Sequence, residues 1–360
     1  MGTTKIPVGI LGATGMVGQR FITLLQNHPY FEVVALAASP RSAGKKYKEA
    51  AEGRWVMEEP IPESVSEMKL FAVEEDIDSI VPEVRLVFCA IDVDKDSIRR
   101  IEEAYASKGI AVVSNNSAHR WTEDIPMILP EINPGHLELI DIQRKKRGWD
   151  KGLIVVKPNC SIQSYVPMLT PLMQFKPTEV IVTTLQAVSG AGRTLRNWPE
   201  MNDNVNPLIP GEEEKSEREP LRIWGKLKNG AINLEANIQI SATCIRVPVS
   251  NGHMASIAVK FEGKPTKEQI IEAWKNFNPL AELDLPSAPN PFITYFEEED
   301  RPQTALDRKL GKGMGIAAGR LSEDDVLDYR FIGLSHNTIR GAAGGSILTA
   351  ELLIQKGYIK

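Results

Sequence analysis

The strongest constraint on the fold of this 360-residue chain is a glycine-spaced loop near its start. Residues 7–11 form a short apolar run typical of a buried strand, and apolar spacing predicts a helix over residues 20–25. Between these segments, Gly12, Gly15 and Gly18 lie three residues apart. Glycine is required where a backbone turns tightly or approaches a pyrophosphate, and the helix N-terminus offers N–H groups to the anion. The spacing therefore predicts a dinucleotide-binding loop.

Strand-like and helix-like segments alternate through the first part of the chain. The strand-like runs are residues 32–38, 85–90 and 110–114, and helical spacing recurs over residues 98–107. Alternation at this spacing predicts a parallel sheet with helices on both faces, which is the doubly wound arrangement of a Rossmann-type domain. The predicted fold class is therefore α/β.

The pattern of apolar residues changes at about residues 153–156. Longer strands with regular apolar–polar alternation are expected over residues 179–186, 236–247 and 255–261. Such alternation favours a mixed or antiparallel sheet with one face packed against helices. The other expected elements are a helix over residues 215–226, a proline-rich connector over 286–302 and a last helix over 341–356.

The charge balance and the cysteine content exclude several classes of protein. A net charge of −5 argues against a surface for nucleic acid or an anionic membrane. No segment of the sequence approaches the roughly 18 consecutive apolar residues of a membrane span. The three cysteines, Cys89, Cys160 and Cys244, are far apart. Their spacing argues against a disulfide framework or a metal site and makes the cytoplasm the expected location.

The turn after the second strand indicates which dinucleotide fits. An NAD-binding protein usually has an acidic residue here for the ribose hydroxyls, whereas this chain has Ser39, Arg41 and Ser42. Hydroxyl groups and a guanidinium suit a 2′-phosphate, which a carboxylate would repel. The alternative is an ordinary polar turn with a solvated arginine. We predict NADP as the cofactor.

Cys160 lies at the boundary between the two regions and is the leading candidate for a nucleophile. Thiolate attack on an acyl or aldehyde carbon, followed by hydride transfer, needs a reactive sulfur facing the nicotinamide. If residues 161–172 are helical, the helix N-terminus would lower the pKa of the thiol. Asn159 or the backbone N–H of Cys160 could bind the developing oxyanion. Cys89 and Cys244 lie in apolar runs and are expected to be inert.

A proton-transfer group is expected among the five histidines. His253 follows a loop between two predicted strands, which makes it the best candidate. His28 and His136 lie in turns and are expected to be structural. His119 and His336 are close in sequence to other candidate site segments and could support the site.

Taken together, these motifs resemble a known family: the chain is similar to the aspartate-semialdehyde dehydrogenases across essentially its full length. The matching segments are residues 12–18, 158–161, 185–192, 246–253 and 337–345. Residues 117–120 (Ser-Ala-His-Arg) and 124–126 (Asp-Ile-Pro) resemble the archaeal and fungal branch, which also occurs in some bacteria. The combination is far more specific than the glycine loop.

The resemblance implies a reaction and a role for individual residues. Cys160 would attack the acyl phosphate of L-4-aspartyl phosphate, and NADPH would reduce the thioester to L-aspartate 4-semialdehyde. His253 is implied as the acid/base group and Gln186 as the amide that orients the substrate. Arg246 would hold the substrate α-carboxylate, which a guanidinium fork fits well. The step would serve the biosynthesis of lysine or diaminopimelate, threonine, methionine and isoleucine.

The same resemblance assigns further residues to the substrate and the cofactor. Arg120 and Lys215 would hold the leaving phosphate, Glu212 the substrate amine, and Asn159 would also contact the substrate. The competing interpretation of residues 212–215 is a solvated helix start. The expected cofactor contacts are Gly12, Ala13, Thr14, Gly15, Met16, Val17, Ser39, Arg41, Ser42, Ser189, Gly190 and Asn337, the last three on the nicotinamide half.

Several other activities compete with this interpretation. Malonyl-CoA reductase is the principal alternative, and the presence of both Asn159 and Ser161 favours aspartyl phosphate over it. N-acetyl-glutamyl-phosphate reductase does not suit segments 117–120 and 246–253. A non-catalytic NADP sensor would need no nucleophile. A short-chain dehydrogenase would need a Tyr-x-x-x-Lys pair, which the sequence lacks.

The predicted architecture has two domains. An NADP-binding domain is expected from residues 1–157 and 335–360, and an α+β catalytic and dimerisation domain with a mixed sheet from residues 158–334. The resemblance implies a dimer interface on the sheet face of the second domain, so a homodimer or homotetramer is expected. The expected partners are small molecules, aspartyl phosphate and phosphate, with no nucleic acid, membrane or metal.

Overall fold

The computed structural model describes residues 5–360, which form two large sheets, a short ribbon and the helices around them. The strands are β1 (Ile6–Leu11), β2 (Phe31–Ala38), β3 (Phe71–Ala72), β4 (Leu86–Cys89), β5 (Ala111–Ser114), β6 (Leu153–Val156), β7 (Pro177–Gln186), β8 (Lys226–Lys228), β9 (Ala231–Asn233), β10 (Gln239–Arg246), β11 (His253–Phe261), β12 (Ile293–Phe296), β13 (Ile316–Glu323) and β14 (Tyr329–Ser335). The α-helices are α1 (Met16–Leu25), α2 (Tyr47–Ala51), α3 (Glu63–Ser66), α4 (Ile77–Ile80), α5 (Lys95–Ser107), α6 (Leu139–Arg147), α7 (Val166–Leu169), α8 (Glu212–Ile223), α9 (Lys267–Asn276), α10 (Thr304–Asp307) and α11 (Gly344–Gln355).

The first sheet is parallel, with the strand order β3-β2-β1-β4-β5-β6. The strand order reverses at β1, which lies between β2 and β4. Loops at the carboxyl ends of strands leave a crevice at such a point, where nucleotides bind in open α/β sheets. The prediction of a Rossmann-type parallel sheet is confirmed, and the glycine loop follows β1 into this crevice.

Two glycines of the loop are required by close backbone contacts. Gly12 has φ +88°, and a Cβ there would lie 2.3 Å from the carbonyl oxygen of Ala90. A Cβ on Gly18 would lie 2.2 Å from the carbonyl oxygen of Gly12. Glycine therefore lets the loop fold tightly against both β4 and the first turn of α1.

Helices cover both faces of the first sheet. On one face, α1, α6 and α11 pack against the strands through a core cluster that includes Phe21, Phe88 and Ile347. On the other face, Ile101 and Tyr105 of α5 belong to a second cluster, which continues into the second sheet. The domain boundaries stay a prediction, although α11 does return to the first sheet.

The second sheet is mixed, with the strand order β10-β7-β11-β14-β13-β12. Its β10–β7 and β12–β13 pairs are parallel, and its other pairs are antiparallel. Along β7, Val180 and Val182 face the core while Ile181 is 51% exposed. The prediction of a mixed sheet with one buried face is confirmed.

Two element predictions need correction. The proline-rich connector over residues 286–302 contains strand β12, which pairs with β13 and so satisfies its backbone groups in the sheet. The last helix begins at Gly344, because the preceding Ile339–Ala343 segment forms a π-helical turn with a non-helical residue at Ala342. Among residues 5–360, no helix combines the length and apolar character that crossing a membrane requires.

A buried ion pair ties the π-helical turn to the first half of the chain. The Arg340 guanidinium donates through both terminal nitrogens to the Glu131 carboxylate, with Nη2 2.6 Å from Oε2, and both side chains are almost fully buried. A buried charge that loses its partner keeps its desolvation penalty without compensation.

We expect Glu131→Gln to lower the free energy of unfolding by about 3–5 kcal/mol, because it leaves the Arg340 charge buried and unpaired. Urea denaturation followed by circular dichroism measures this. Glu123→Gln is the matched control, since it breaks an exposed pair with Lys146 and should leave stability nearly unchanged. Equal effects of the two substitutions would contradict the prediction.

Candidate active site

Three strands of the second sheet bring their terminal residues to one edge. Gln186 ends β7 and Arg246 ends β10, and these two residues are register partners in a parallel pair. His253 begins β11, which runs antiparallel to β7, so its first residue lies at the same edge. Successive side chains alternate between faces, and all three of these side chains are buried. Register alone therefore gathers three of the predicted site residues.

Cys160 reaches this edge from the loop that follows β6. Its Sγ lies 3.4 Å from Nε2 of His253. The His253 ring is fully buried, and its Nδ1 accepts a 3.0 Å hydrogen bond from the backbone N–H of Ala187. Burial, reinforced by the positive charge of Arg246, lowers the pKa of His253 to about 3. The imidazole is therefore neutral beside the sulfur.

The environment of Cys160 disfavours its thiolate. Desolvation, followed by the negative charge of Glu212, raises the pKa of the thiol to about 11. The prediction that a helix N-terminus lowers this pKa is wrong. Residues 161–164 form one 3₁₀ turn, and the helix breaks at Tyr165, whose φ of −141° is not helical, before α7 begins.

The carboxylate of Glu212 links several predicted substrate residues. It accepts hydrogen bonds from Lys215 Nζ at 2.7 Å, from Asn159 Nδ2 at 3.0 Å and from Gln186 Nε2 at 3.3 Å. Burial opposes its charge, but Lys215 and these hydrogen bonds outweigh burial, so the pKa of Glu212 is lowered. The Asn159 side-chain amide is thus already bound to Glu212. The backbone N–H of Cys160 is therefore the better candidate for the group that stabilises the oxyanion.

Two glycines allow close packing around the reacting groups. A Cβ on Gly190 would lie 2.8 Å from Nη1 of Arg246 and 3.0 Å from Nε2 of His253. A Cβ on Gly341 would lie 2.7 Å from the Cβ of Cys160. The sequence assigned Gly190 to the nicotinamide but gave Gly341 no individual role. The only sequence signal for Gly341 was its place in a glycine-rich matching segment.

Arg120 lies behind the nucleophile loop. Its guanidinium donates to Glu219 Oε1 at 2.9 Å and to the carbonyl oxygen of Lys157 at 3.0 Å. Glu219 also accepts the backbone N–H of Asn159 at 2.6 Å. Arg120 is therefore paired with Glu219, and together they stabilise the loop that carries Cys160. Its contact with phosphate stays a prediction. Sequence reasoning missed Glu219, which lies 99 positions from its arginine partner.

The crevice beside the glycine loop forms a cleft of about 350 Å³. Gly12, Thr14, Gly15 and Ser39 are among the residues that line it. The other predicted loop contacts surround the same turn: Ala13 precedes Thr14, and Met16 and Val17 open α1. Arg41 is exposed next to the cleft, whereas Ser42 is buried in the turn. The tight, glycine-lined backbone fits the phosphates of a dinucleotide.

Asn337 connects the loop that follows β7 with the residue that precedes β11, next to the nucleophile. Its Nδ2 donates to Ser189 Oγ at 2.8 Å, and its Oδ1 accepts the Gly252 N–H at 2.8 Å. Both Ser189 and Asn337 were predicted contacts of the nicotinamide half. The structure thus brings them together next to His253, the residue that follows Gly252.

Comparisons with known proteins show the family of this chain. Residues 7–140 match the family described as semialdehyde dehydrogenase, NAD binding domain, and residues 169–340 match semialdehyde dehydrogenase, dimerisation domain. An aspartate-semialdehyde dehydrogenase of Archaeoglobus fulgidus is 43% identical over 99% of this chain and 100% of its own. The chain belongs to the aspartate-semialdehyde dehydrogenase family.

Relatives in fungi and solved structures support the same assignment. The aspartate-semialdehyde dehydrogenase of Saccharomyces cerevisiae is 39% identical over 98% of both chains. A crystal structure of aspartate-semialdehyde dehydrogenase with NADP from Candida albicans superimposes with a TM-score of 0.87, at 38% identity, over 99% of this chain and 100% of that one. The predicted resemblance to this family, with relatives in archaea and fungi, is confirmed.

The raised pKa of Cys160 predicts how this family member reacts with alkylating reagents. Because the thiolate is the reactive form, the alkylation rate should increase through pH 9–10 and reach half its plateau near pH 11, the pKa of the thiol. Iodoacetamide labelling followed by mass spectrometry of the Cys160 peptide measures this. Glu212→Gln should move the curve to lower pH by removing the negative charge, and a wild-type plateau below pH 8 would contradict the prediction.

Proposed function

We propose that the protein catalyses NADPH-dependent reductive dephosphorylation of L-4-aspartyl phosphate to L-aspartate 4-semialdehyde through a thioester on Cys160. The observation that carries this proposal is the 3.4 Å contact between Cys160 Sγ and His253 Nε2, beside the buried Arg246. A sulfur nucleophile next to a proton-carrying ring is the arrangement that acyl transfer requires. Family membership supplies the substrate class.

The charges around the sulfur suit the α-carboxylate and the ammonium that the α-carbon of an aspartyl group carries. Arg246 uses Nη1 to bond the carbonyl oxygen of Ala187 at 2.7 Å, and its planar fork can still receive the substrate α-carboxylate. The ionised Glu212 would accept the substrate ammonium. Gln186, which bonds Glu212 from the end of β7, would orient the substrate between these two charges.

The first chemical step follows from this placement. Sγ of Cys160 would attack the acyl carbon, and the Cys160 N–H would stabilise the oxyanion. Lys215, about one-third exposed, and Arg120 would hold the departing phosphate. When bound, NADPH supplies the hydride that reduces the thioester to the aldehyde. The product would feed the biosynthesis of lysine or diaminopimelate, threonine, methionine and isoleucine.

Malonyl-CoA is a poorer match to the same charges. Its malonyl group carries no ammonium, so the buried negative charge of Glu212 would gain no substrate partner. Asn159 bonds Glu212 through its amide and accepts the Ser161 N–H and Oγ–H at 2.7 Å each. Asn159 and Ser161, which flank Cys160, therefore both take part in the hydrogen bonds of the proposed site for the substrate amine.

The test is an assay with both acyl substrates. We expect NADPH oxidation with aspartyl phosphate and none with malonyl-CoA. Cys160→Ser should reduce turnover by at least about 10³-fold, because the residual catalysis then comes from binding and oxyanion contacts alone. NADPH affinity, measured by fluorescence, should not change, because the substitution leaves the glycine loop intact. Near-normal turnover of the variant would overturn the thioester mechanism.

We propose NADP(H) as the cofactor, held by the loop of Gly12 and Gly15 with its 2′-phosphate near Ser39 and Arg41. The cleft geometry and the exposed Arg41 support this, as does the NADP in the Candida albicans relative's structure. NADH is expected to be a poor substitute.

The cofactor proposal can be tested at Arg41. Arg41→Ala should raise the KM for NADPH roughly 10- to 100-fold, the contribution of a charge-assisted hydrogen bond. The KM for NADH, which has no 2′-phosphate, should be unchanged and serves as the internal control. Parallel changes for both cofactors in steady-state assays would argue against Arg41 as the phosphate ligand.

The open face of the second sheet is the proposed dimer interface. Ile181, 51% exposed, and the half-buried Leu185 and Ile245 belong to β7 and β10 on this face. Such an apolar sheet face is typical of an interface between copies. The description of residues 169–340 as a dimerisation domain supports a homodimer, and two dimers would make the homotetramer also predicted.

A further inference from the structure

Helix α8 carries two carboxylates, and each is paired with a cation that the proposed function assigns to phosphate. Glu212 accepts a hydrogen bond from Lys215 Nζ at 2.7 Å, and Glu219 accepts one from Arg120 Nη1 at 2.9 Å. The two acids are about two helical turns apart, so they lie on the same face of α8. Each candidate phosphate cation therefore has its own counter-charge on this helix.

The two pairs respond differently to the proposed substrate. The substrate ammonium would bind Glu212 and so release the charge of Lys215. Glu219 is only 1% exposed, and its two oxygens accept hydrogen bonds from Arg120 and from the backbone N–H of Asn159, the latter at 2.6 Å. Because the substrate does not reach this buried carboxylate, Glu219 stays beside Arg120 while the substrate is bound.

The guanidinium of Arg120 can bind Glu219 and a phosphate at the same time. It has five N–H groups. Nε donates to the carbonyl oxygen of Lys157 at 3.0 Å, Nη1 donates to Glu219, and Nη2 donates to the carbonyl oxygen of Asn115 at 3.4 Å. Two further N–H groups therefore remain for phosphate oxygens, while the positive charge is already compensated.

Glu219 also stabilises the site after phosphate has left. Arg120 is only 7% exposed, and a buried cation without a partner keeps its desolvation penalty uncompensated. With Glu219 in place, the empty site contains a paired arginine. The carboxylate thus stabilises the empty site and, by like-charge repulsion, destabilises the phosphate-bound one, so both effects favour release of phosphate.

We propose that Glu219 is a positioning residue that lowers the affinity of Arg120 for phosphate and holds this cation at a fixed place beside the nucleophile loop. It touches neither substrate nor cofactor and acts through Arg120 and through the backbone of Asn159, the residue before Cys160. The inference rests on the proposed function for the identity of the leaving group.

Binding of inorganic phosphate to the NADP-loaded enzyme, measured by isothermal titration calorimetry, tests the charge effect. Glu219→Gln should lower the Kd for phosphate roughly tenfold, because it removes a negative charge beside Arg120. Glu214→Gln is the matched control, since it removes the same charge from the exposed side of α8, where Glu214 pairs with Arg218, and should leave the Kd nearly unchanged. Unchanged or weaker phosphate binding by folded Glu219→Gln would overturn the inference.

Glu219→Asp tests the positioning effect and remains informative if the unpaired Arg120 of Glu219→Gln prevents folding. The shorter side chain keeps the charge but cannot reach both Arg120 and the Asn159 N–H. We expect the Kd for phosphate to stay near that of wild type while kcat falls roughly tenfold, through loss of one charge-assisted hydrogen bond to the nucleophile loop. A wild-type kcat in this variant would contradict the positioning role.

Steady-state kinetics give a second measure of the charge effect. Phosphate is a product of the proposed reaction, so Glu219→Gln should strengthen product inhibition by phosphate by the same factor of roughly ten. Failure of wild type to turn over aspartyl phosphate would refute the proposed function, and the calorimetric comparison would still test Glu219. Absence of phosphate binding to wild type in the calorimeter would overturn the inference about Glu219 itself.

Discussion

The strand register of the second sheet is the constraint on which the site depends. Gln186 and Arg246 face each other only because β7 and β10 pair in parallel and end together, and His253 joins them because β11 runs the opposite way. A slip of one residue would turn each of these side chains to the other face of its strand. The buried alternation of β7 and β11 fixes that register, so core packing and site assembly have the same cause.

Charge then couples substrate recognition to the nucleophile. Glu212 is ionised, holds Asn159 and Gln186, and is the strongest charged group that raises the pKa of Cys160. In the proposed complex, the substrate ammonium would neutralise this carboxylate and remove its effect on the thiol. The residue that selects an amino-acid substrate would therefore also make the sulfur easier to ionise when that substrate is bound.

The sequence predicted the elements whose signals are local. The loop of Gly12 and Gly18 and the parallel sheet follow from short-range spacing, and Cys160 stood out through its immediate neighbours. The Arg120–Glu219 pair could not be predicted, because its partners lie 99 positions apart. The resemblance named further site residues but not their hydrogen-bond partners.

Other differences arise where tertiary contacts outweigh local patterns. Residues 286–302 were predicted as a connector from their prolines, yet pairing with β13 makes part of the segment a strand. The pKa of Cys160 was predicted from a helix that the backbone interrupts at Tyr165. Desolvation, which depends on the whole surrounding fold, decides the direction of that shift.

The packing of Gly341 on Cys160 has a consequence for the order in which the protein is made. The π-helical turn that touches the nucleophile is held by Arg340 to Glu131, and α11 fills the core of the first sheet. Because translation runs from the N-terminus, residues 340–355 are made after Cys160, Gln186, Arg246 and His253. The thiol of Cys160 therefore gains this cover only once residues 340–355 have been made, and a chain interrupted before them cannot display a finished catalytic centre.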